Sequence, residues 1–235
     1  MSTCDDTKVL RGSKGLTAKE KETFGFKIRK LAKQKMNDTL LDLLDVAAAA
    51  NLQARYLLCD KWFANPVTIF AIRDKGYEVI CMLKNSSTYY LYKGERRKLS
   101  QIFRMCAKEE RLQRKLDRKA GNDDSKGRKF LFSAAISLIN KDEKPNQESK
   151  IVFVRNRNKK SEYLAILCTD NSLSEDQIVE YYCSRWGIET MFHTCKSFLR
   201  LQKSTQSLDY SEIHASTAIV MFQYAMLSWL NRQNS

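Results

Sequence analysis

Apolar residues recur along this chain in two patterns, one at helical spacing and one in short unbroken runs. Between Met36 and Asn51, Leu40, Leu41, Leu43, Leu44, Val46 and Ala47 form a stripe of helical period, which predicts a helix. The text before it, Thr17 to Lys35, is charged and helix-compatible. Ala54 to Cys59 has the length and apolarity of a buried strand and ends on Asp60. Pro66 to Lys75 reads as another helix, with proline in its first turn and Gly76 at its end, and Tyr77 to Leu83 as a second buried strand. Helix, strand, helix, strand in that order implies a parallel α/β sheet.

Beyond Lys84 the rhythm changes. Tyr89 to Tyr92 and Arg97 to Ile102 are short strand-like pieces, Phe103 to Ala120 is basic and helical in character, and Gly121 to Lys129 is a polar loop. Strand patterns follow at Phe130 to Ile139, Lys150 to Val154 and Glu162 to Thr169, so residues 85–171 read as a mostly β insertion with a basic rim. Ser174, followed by Glu175, Asp176 and Gln177, is a suitable N-cap for one long helix reaching about Leu201. A last helix covers Ser211 to Asn231. Its stretch His214 to Asn231 is uncharged for 18 residues but contains His, Ser, Thr, Gln and Asn, so it reads as a buried helix, with a membrane span as the lesser alternative.

Composition adds a core and a charge asymmetry. Of the 235 residues 43% are apolar and 10% aromatic, with only 8 Gly and 2 Pro, which excludes a disordered or fibrous chain. The net charge of +14 is concentrated. Residues 1–35 carry ten Lys/Arg against four Asp/Glu, residues 93–129 carry fourteen against six, and the remainder is neutral. A neutral body with two basic segments fits a polyanion partner. The seven cysteines lack any CxxC spacing and read as small core residues of a reducing compartment, and no signal peptide opens the chain.

The candidate chemistry lies in the predicted long helix, in Tyr182, Arg185, Glu189 and Lys196. At about 100° per residue, with Tyr182 at 0°, Arg185 falls near 300°, Glu189 near 340° and Lys196 near 320°, all within about a 60° arc. Ile188, Phe192, Cys195 and Leu199 fall on a neighbouring apolar stripe that would anchor the helix to a sheet. A carboxylate among cations and a tyrosine hydroxyl can hold a divalent metal beside phosphate oxygens. The plain alternative for Arg185 and Glu189 alone is an i,i+4 ion pair on a solvated face. Asp60 alone reads as a helix or turn cap more readily than as a metal ligand. Trp62, between a strand and a helix, is expected to pack, and His193 and His214 fall in no ligand spacing.

The spacing Y-x2-R-x3-E-x6-K resembles the YREK signature of bacterial insertion-sequence transposases of the DDE superfamily, IS-four type, and Trp186, Ile188 and Phe192 look similar too. Upstream, Tyr56-Leu-Leu-Cys-Asp60-Lys-Trp62-Phe63, followed by Gly76 to Lys84, is similar to the family's second-aspartate region. The resemblance covers roughly residues 36–84 and 150–230, and a β insertion between them is expected in this family.

What the resemblance implies is an α/β, ribonuclease-H-like core, partial here and interrupted by the mostly β insertion. It implies catalytic and metal-holding roles for Asp60 and Glu189, the second and third of three acids around two Mg2+ ions, with Mn2+ able to substitute. Tyr182, Arg185 and Lys196 would grip the DNA phosphate. The implied activity is cleavage of insertion-sequence ends and strand transfer into target DNA. Double-stranded DNA is then the partner, together with a second copy or an intact transposase, without a membrane, in the cytoplasm and at the nucleoid when DNA-bound. The implied organisation is a basic segment at 1–35, core parts at 36–84 and 172–235, and the insertion at 85–171, whose basic stretch 93–129 would contact the DNA backbone. Only 59 residues precede Asp60, so the first acid and its strands are expected to be missing, with Asp5 and Asp6 the only acids placed to substitute. A non-catalytic remnant that binds DNA or inhibits the intact enzyme is the alternative. A ribonuclease or repair nuclease on the same core is a third reading.

Overall fold

The computed structural model describes residues 24–119, 130–139, 145–156, 159, 162–201, 203 and 210–234. Asp5 and Asp6, most of the N-terminal basic segment and the residues of the expected polar loop, Gly121 to Lys129, lie outside the described residues. The chain forms two compact units, residues 46–185 and residues 1–45 with 186–235.

The first of these is built on a seven-stranded sheet. Its strands are β1 (Tyr56–Cys59), β2 (Glu78–Met82), β3 (Tyr89–Tyr92), β4 (Glu95–Lys98), β5 (Phe132–Ile139), β6 (Pro145–Arg155) and β7 (Tyr163–Cys168). They lie in the order β1-β2-β7-β6-β5-β3-β4. β1 and β2 pair in parallel, Cys59 opposite Cys81, joined by a crossover helix (Pro66–Asp74) as the sequence pattern implies. Asn65 caps that helix by accepting from the Thr68 backbone N–H, and Gly76, at φ +88°, turns the chain back into β2 where a side chain would be strained. Every other pairing in the sheet is antiparallel. The strands of the expected insertion therefore extend the sheet of β1 and β2 through the β2–β7 pair, and the mixed α/β architecture is the class expected for a ribonuclease-H-like fold with a β-rich segment.

One expected strand is divided. Residues 97–98 complete β4, reached through the Lys93-Gly94 turn with φ of 51° and 81°, but 99–102 open a helix (Leu99–Lys119). The Gln101 side chain reaches back to the Lys98 backbone N–H at 2.9 Å, half of a capping box, so the chain enters a helix there instead of extending the strand. The core of this unit includes Ile80, Val152, Ile166, Cys168, Leu173, Ile178, Val179 and Tyr182. Five cysteines, 59, 81, 106, 168 and 195, are buried free thiols, whereas Cys183 is exposed, against the expectation of a core residue.

In order, the helices are α1 (Phe24–Leu31), α2 (Met36–Ala49), α3 (Pro66–Asp74), α4 (Leu99–Lys119), α5 (Glu175–Cys183), α6 (Trp186–Ser197) and α7 (Tyr210–Gln233). In the second unit Cys195, Leu201 and Val220 pack with Met191, Leu199, Met221 and Tyr224, joining α6 to α7. Two expectations fail here. Ile188 and Phe192 are exposed instead of anchoring α6, because its contacts run through Cys195 and Met191. The expected burial of α7 is not seen either: among its large apolar residues Val220 is buried, while Phe222 and Trp229 are more than half exposed. Apolar side chains surround α7 on all sides, and one packing face cannot cover them. By length and composition alone α7 is the one described helix apolar enough to cross a membrane.

Candidate active site

The parallel pairing of β1 and β2 sets their carboxyl ends side by side, the position where open α/β sheets bind ligands. Asp60 follows β1 there. Its backbone carbonyl accepts from the Phe63 N–H at 3.0 Å, closing a tight turn, and its Oδ1 accepts from the Lys61 N–H at 2.6 Å. That is its carboxylate's only hydrogen bond among the described residues, and the side chain remains half-buried. Trp62, expected to pack, is 66% exposed, with the Lys84 ammonium 5.8 Å from its ring.

A second strand-end acid, which the sequence pattern did not single out, behaves in the opposite way. Asp170 follows β7 and is buried. Its Oδ2 accepts from Arg55 Nη2 at 2.7 Å and from Tyr56 Oη at 2.8 Å, and its Oδ1 from the Ser172 N–H at 2.9 Å and Oγ at 2.6 Å. Burial alone would push its carboxyl up, but the Ser172 hydrogen bonds, Tyr56 and the Arg55 charge outweigh it and hold its pKa below the usual value. Asp170 is a structural acid that ties the start of β1 to the end of β7. Asp60, at the other end of β1, keeps most of its acceptor capacity.

Tyr182, in the same unit, lies within reach of the Asp60 charge and carries Arg185 against its ring. α5 begins at a full capping box between Ser174 and Gln177, as its sequence predicts, and packs Ile178, Val179 and Tyr182 into the core. The Tyr182 ring is 7% exposed, with the Arg185 guanidinium carbon 5.6 Å from its centroid. Burial raises the Tyr182 pKa, Arg185 opposes the rise and the Asp60 charge adds to it. The Tyr182 hydroxyl is buried without a hydrogen bond of ordinary geometry among the described residues, although Arg185 is near enough to act on it electrostatically.

The single long helix expected over 174–201 is not present. α5 ends at Cys183, Ser184 and Arg185 form a turn, and α6 starts at Trp186. The Arg185 N–H bonds to the Tyr182 carbonyl three residues back, at 3.1 Å, and the Ser184 hydroxyl bonds back to the Glu180 carbonyl. Such back-bonding by serine bends helices, and Gly187 just beyond weakens the helix further. The shared 60° arc therefore does not hold for all four residues. Asp60, Tyr182 and Arg185 belong to one unit, and Glu189 and Lys196 to the other, in the first and last turns of α6. Both are exposed and two turns apart on one face. The acid lies at the helix's positive end and the base at its negative end.

Asp60 and Glu189 are hard oxygen donors of the type Mg2+ takes. Among the described residues no three His, Cys, Asp or Glu side chains gather as a metal-holding group.

A family model described as "Transposase DDE domain" matches residues 19–222. No curated protein matches the chain.

Proposed function

The chain belongs to the DDE transposase-domain family, and from that premise we propose that it acts as a DNA transposase, cleaving insertion-sequence ends and joining them to target DNA. Asp60 and Glu189 are the proposed holders of the divalent cation, Mg2+ or Mn2+. When bound, such ions supply charge stabilisation to the attacking and leaving oxygens of a phosphodiester in line. The chain's own residues do the positioning. The Tyr182 hydroxyl donates to a non-bridging phosphate oxygen, Arg185 holds the same phosphate with a forked pair of N–H groups, and Lys196 adds a cation. The phosphate is thereby fixed for attack, which is the larger part of catalysis in phosphoryl transfer.

The observation that supports this most is the buried Tyr182 hydroxyl beside the Arg185 guanidinium and within reach of the Asp60 charge, because a hydroxyl and a guanidinium side by side are donors that one phosphate can take together. The proposed setting is the cytoplasm, at the nucleoid when DNA-bound, with a second copy or an intact transposase as assembly partner. The second reading is a chain that binds DNA, or inhibits an intact transposase, without cutting.

The test is nicking of a supercoiled plasmid carrying the terminal repeats that flank the chain's own gene, in Mg2+ and Mn2+. For the transposase reading Asp60→Asn and Glu189→Gln each lower nicking at least 100-fold. Nicking untouched by Glu189→Gln refutes the metal assignment. Plasmid binding without nicking by the natural chain selects the second reading.

A further inference from the structure

Helix α4 buries one side and sorts its charges on the other. Ile102 and Cys106 are buried, and Phe103 stacks on Tyr163 of β7 with centroids 3.9 Å apart. On the outer side, with Arg104 at 0° and about 100° per residue, Lys108 falls near 40°, Arg111 near 340°, Lys115 near 20° and Lys119 near 60°. These five exposed cations share an arc of about 80° and run for about 22 Å at 1.5 Å per residue. The acids of the same helix fall outside the arc, Glu109 near 140°, Asp117 near 220° and Glu110 near 240° by the same rule. They are engaged there: Glu109 with Lys93, Glu110 with Arg114, and Asp117 with the Gln113 amide. Arg104, Lys108, Arg111 and Lys115 make no salt bridge among the described residues, and their stems border a shallow groove of about 460 Å³ floored by Phe103, Ala107 and Leu112.

Stability alone does not favour this arrangement. Like charges at i,i+4 destabilise a helix by about 0.2–0.5 kcal/mol per pair, and an acid at either position would reverse the sign. A polyanion does so too. An anionic membrane is the poorer fit, because a basic helix binds lipid through a broad open apolar face, whereas in α4 Ile102, Phe103 and Cys106 are taken up by the sheet and only Leu112 and Leu116 stand exposed.

We propose that α4 is a sequence-independent DNA-backbone contact, in which Arg104, Lys108, Arg111, Lys115 and Lys119 neutralise successive phosphates of a duplex. The need for a polyanion comes from the stripe itself, and the choice of DNA rests on the transposase reading. The contact lies outside the Asp60 site and serves grip, not chemistry.

The experiment uses the full chain, a fluorescein-labelled 30-base-pair duplex of arbitrary sequence, and EDTA, so that no cleavage is required. Binding is followed by polarisation from 50 to 200 mM salt. Each neutralised phosphate contributes about −0.9 to the slope of log K against log salt. Changing Arg104, Lys108, Arg111 and Lys115 together to Gln is expected to flatten that slope by about 3.6 and to weaken low-salt binding at least 100-fold. Changing Lys27, Lys30, Lys33 and Lys35 to Gln removes equal charge elsewhere and is expected to change the slope by less than about one. Equal effects from the two sets, an unchanged slope in the first, or tighter binding to phosphatidylserine vesicles than to the duplex each overturn the proposal. Should the first variant not fold, acetylation footprinting of the natural chain decides: the duplex protects Lys108, Lys115 and Lys119 if the proposal is right and leaves them reactive if it is wrong. The two readings fail separately. A flattened slope without plasmid nicking sinks catalysis and spares the contact, whereas nicking with an unchanged slope does the reverse.

Discussion

Replacing Asp170 by Asn tests what holds β1, and with it Asp60, in place. The carboxylate accepts four hydrogen bonds, two on each oxygen, from Arg55, Tyr56 and Ser172. An amide has one oxygen, so one pair of donors must face its NH2 group. Hydrogen bonds to a buried charge contribute about 1.5–3 kcal/mol each. Arg55 is 65% exposed and rehydrates readily, which cuts its share to below about 1 kcal/mol. The expected loss is therefore about 2–4 kcal/mol, or roughly 1 M in the urea midpoint for a unit of this size. The sign of the pH dependence is fixed as well. The folded carboxyl is held below its ordinary value, so its contribution is complete above the unfolded pKa of about 4 and is lost as pH falls through the lower folded pKa. Urea unfolding followed by circular dichroism should show a gap between natural chain and variant that is constant from pH 7 to 5 and narrows below pH 4. A gap under about 0.5 kcal/mol at pH 7, or one that widens in acid, refutes the assignment of Asp170 as a satisfied structural acid.

Three further outcomes follow from burial. Phe153 is fully buried against the rings of Phe103, Phe132 and Tyr163, and Phe153→Ala is expected to cost about 3–5 kcal/mol in the same assay. Trp62→Ala should stay within about 0.5 kcal/mol of the natural chain, since its ring is mostly in solvent; a larger loss would restore the packing role. In a Cys4→Ser background, a thiol reagent at pH 8 should label Cys183 at once and the other five cysteines only on unfolding. Burial places the Cys59 thiol at about 12 and the Cys168 thiol at about 11, so neither is ionised at that pH even if the reagent enters.

Much of the fold is legible because its elements carry local signals. The runs Tyr56 to Cys59, Glu78 to Met82 and Tyr163 to Cys168 are apolar on both faces and become interior strands or the strand beside them, while Asn65-Pro66 and Ser174 mark helix starts by capping chemistry. What local signals do not carry is partnership. No pattern in residues 163–168 states that they will lie antiparallel to residues 78–82 and so join two runs of strands in one sheet. Nor does the uncharged stretch of α7 say how much surface is available to cover it, which is why a helix expected to be buried is mostly exposed.

The candidate site shows the same limit more sharply. Cys59-Asp60 and Cys168-Thr169-Asp170 give the same sequence signal, an acid closing an apolar strand. Asp170 is satisfied by Arg55 and Tyr56, 115 and 114 residues away, and no spacing within the chain anticipates that convergence. The contrast works in favour of Asp60 as a site residue, because an acid with spare acceptor capacity is one a ligand can use. The segment 182–196 teaches the converse. Its four residues were expected on one helix, yet the turn at Ser184 and Arg185 separates Tyr182 from Glu189 and Lys196, so a phase computed along one axis has no meaning across it. A match of residue identity and spacing does not depend on that phase, since it counts positions and not angles. The family itself rests on the transposase-domain match over residues 19–222, which the loss of the arc leaves untouched.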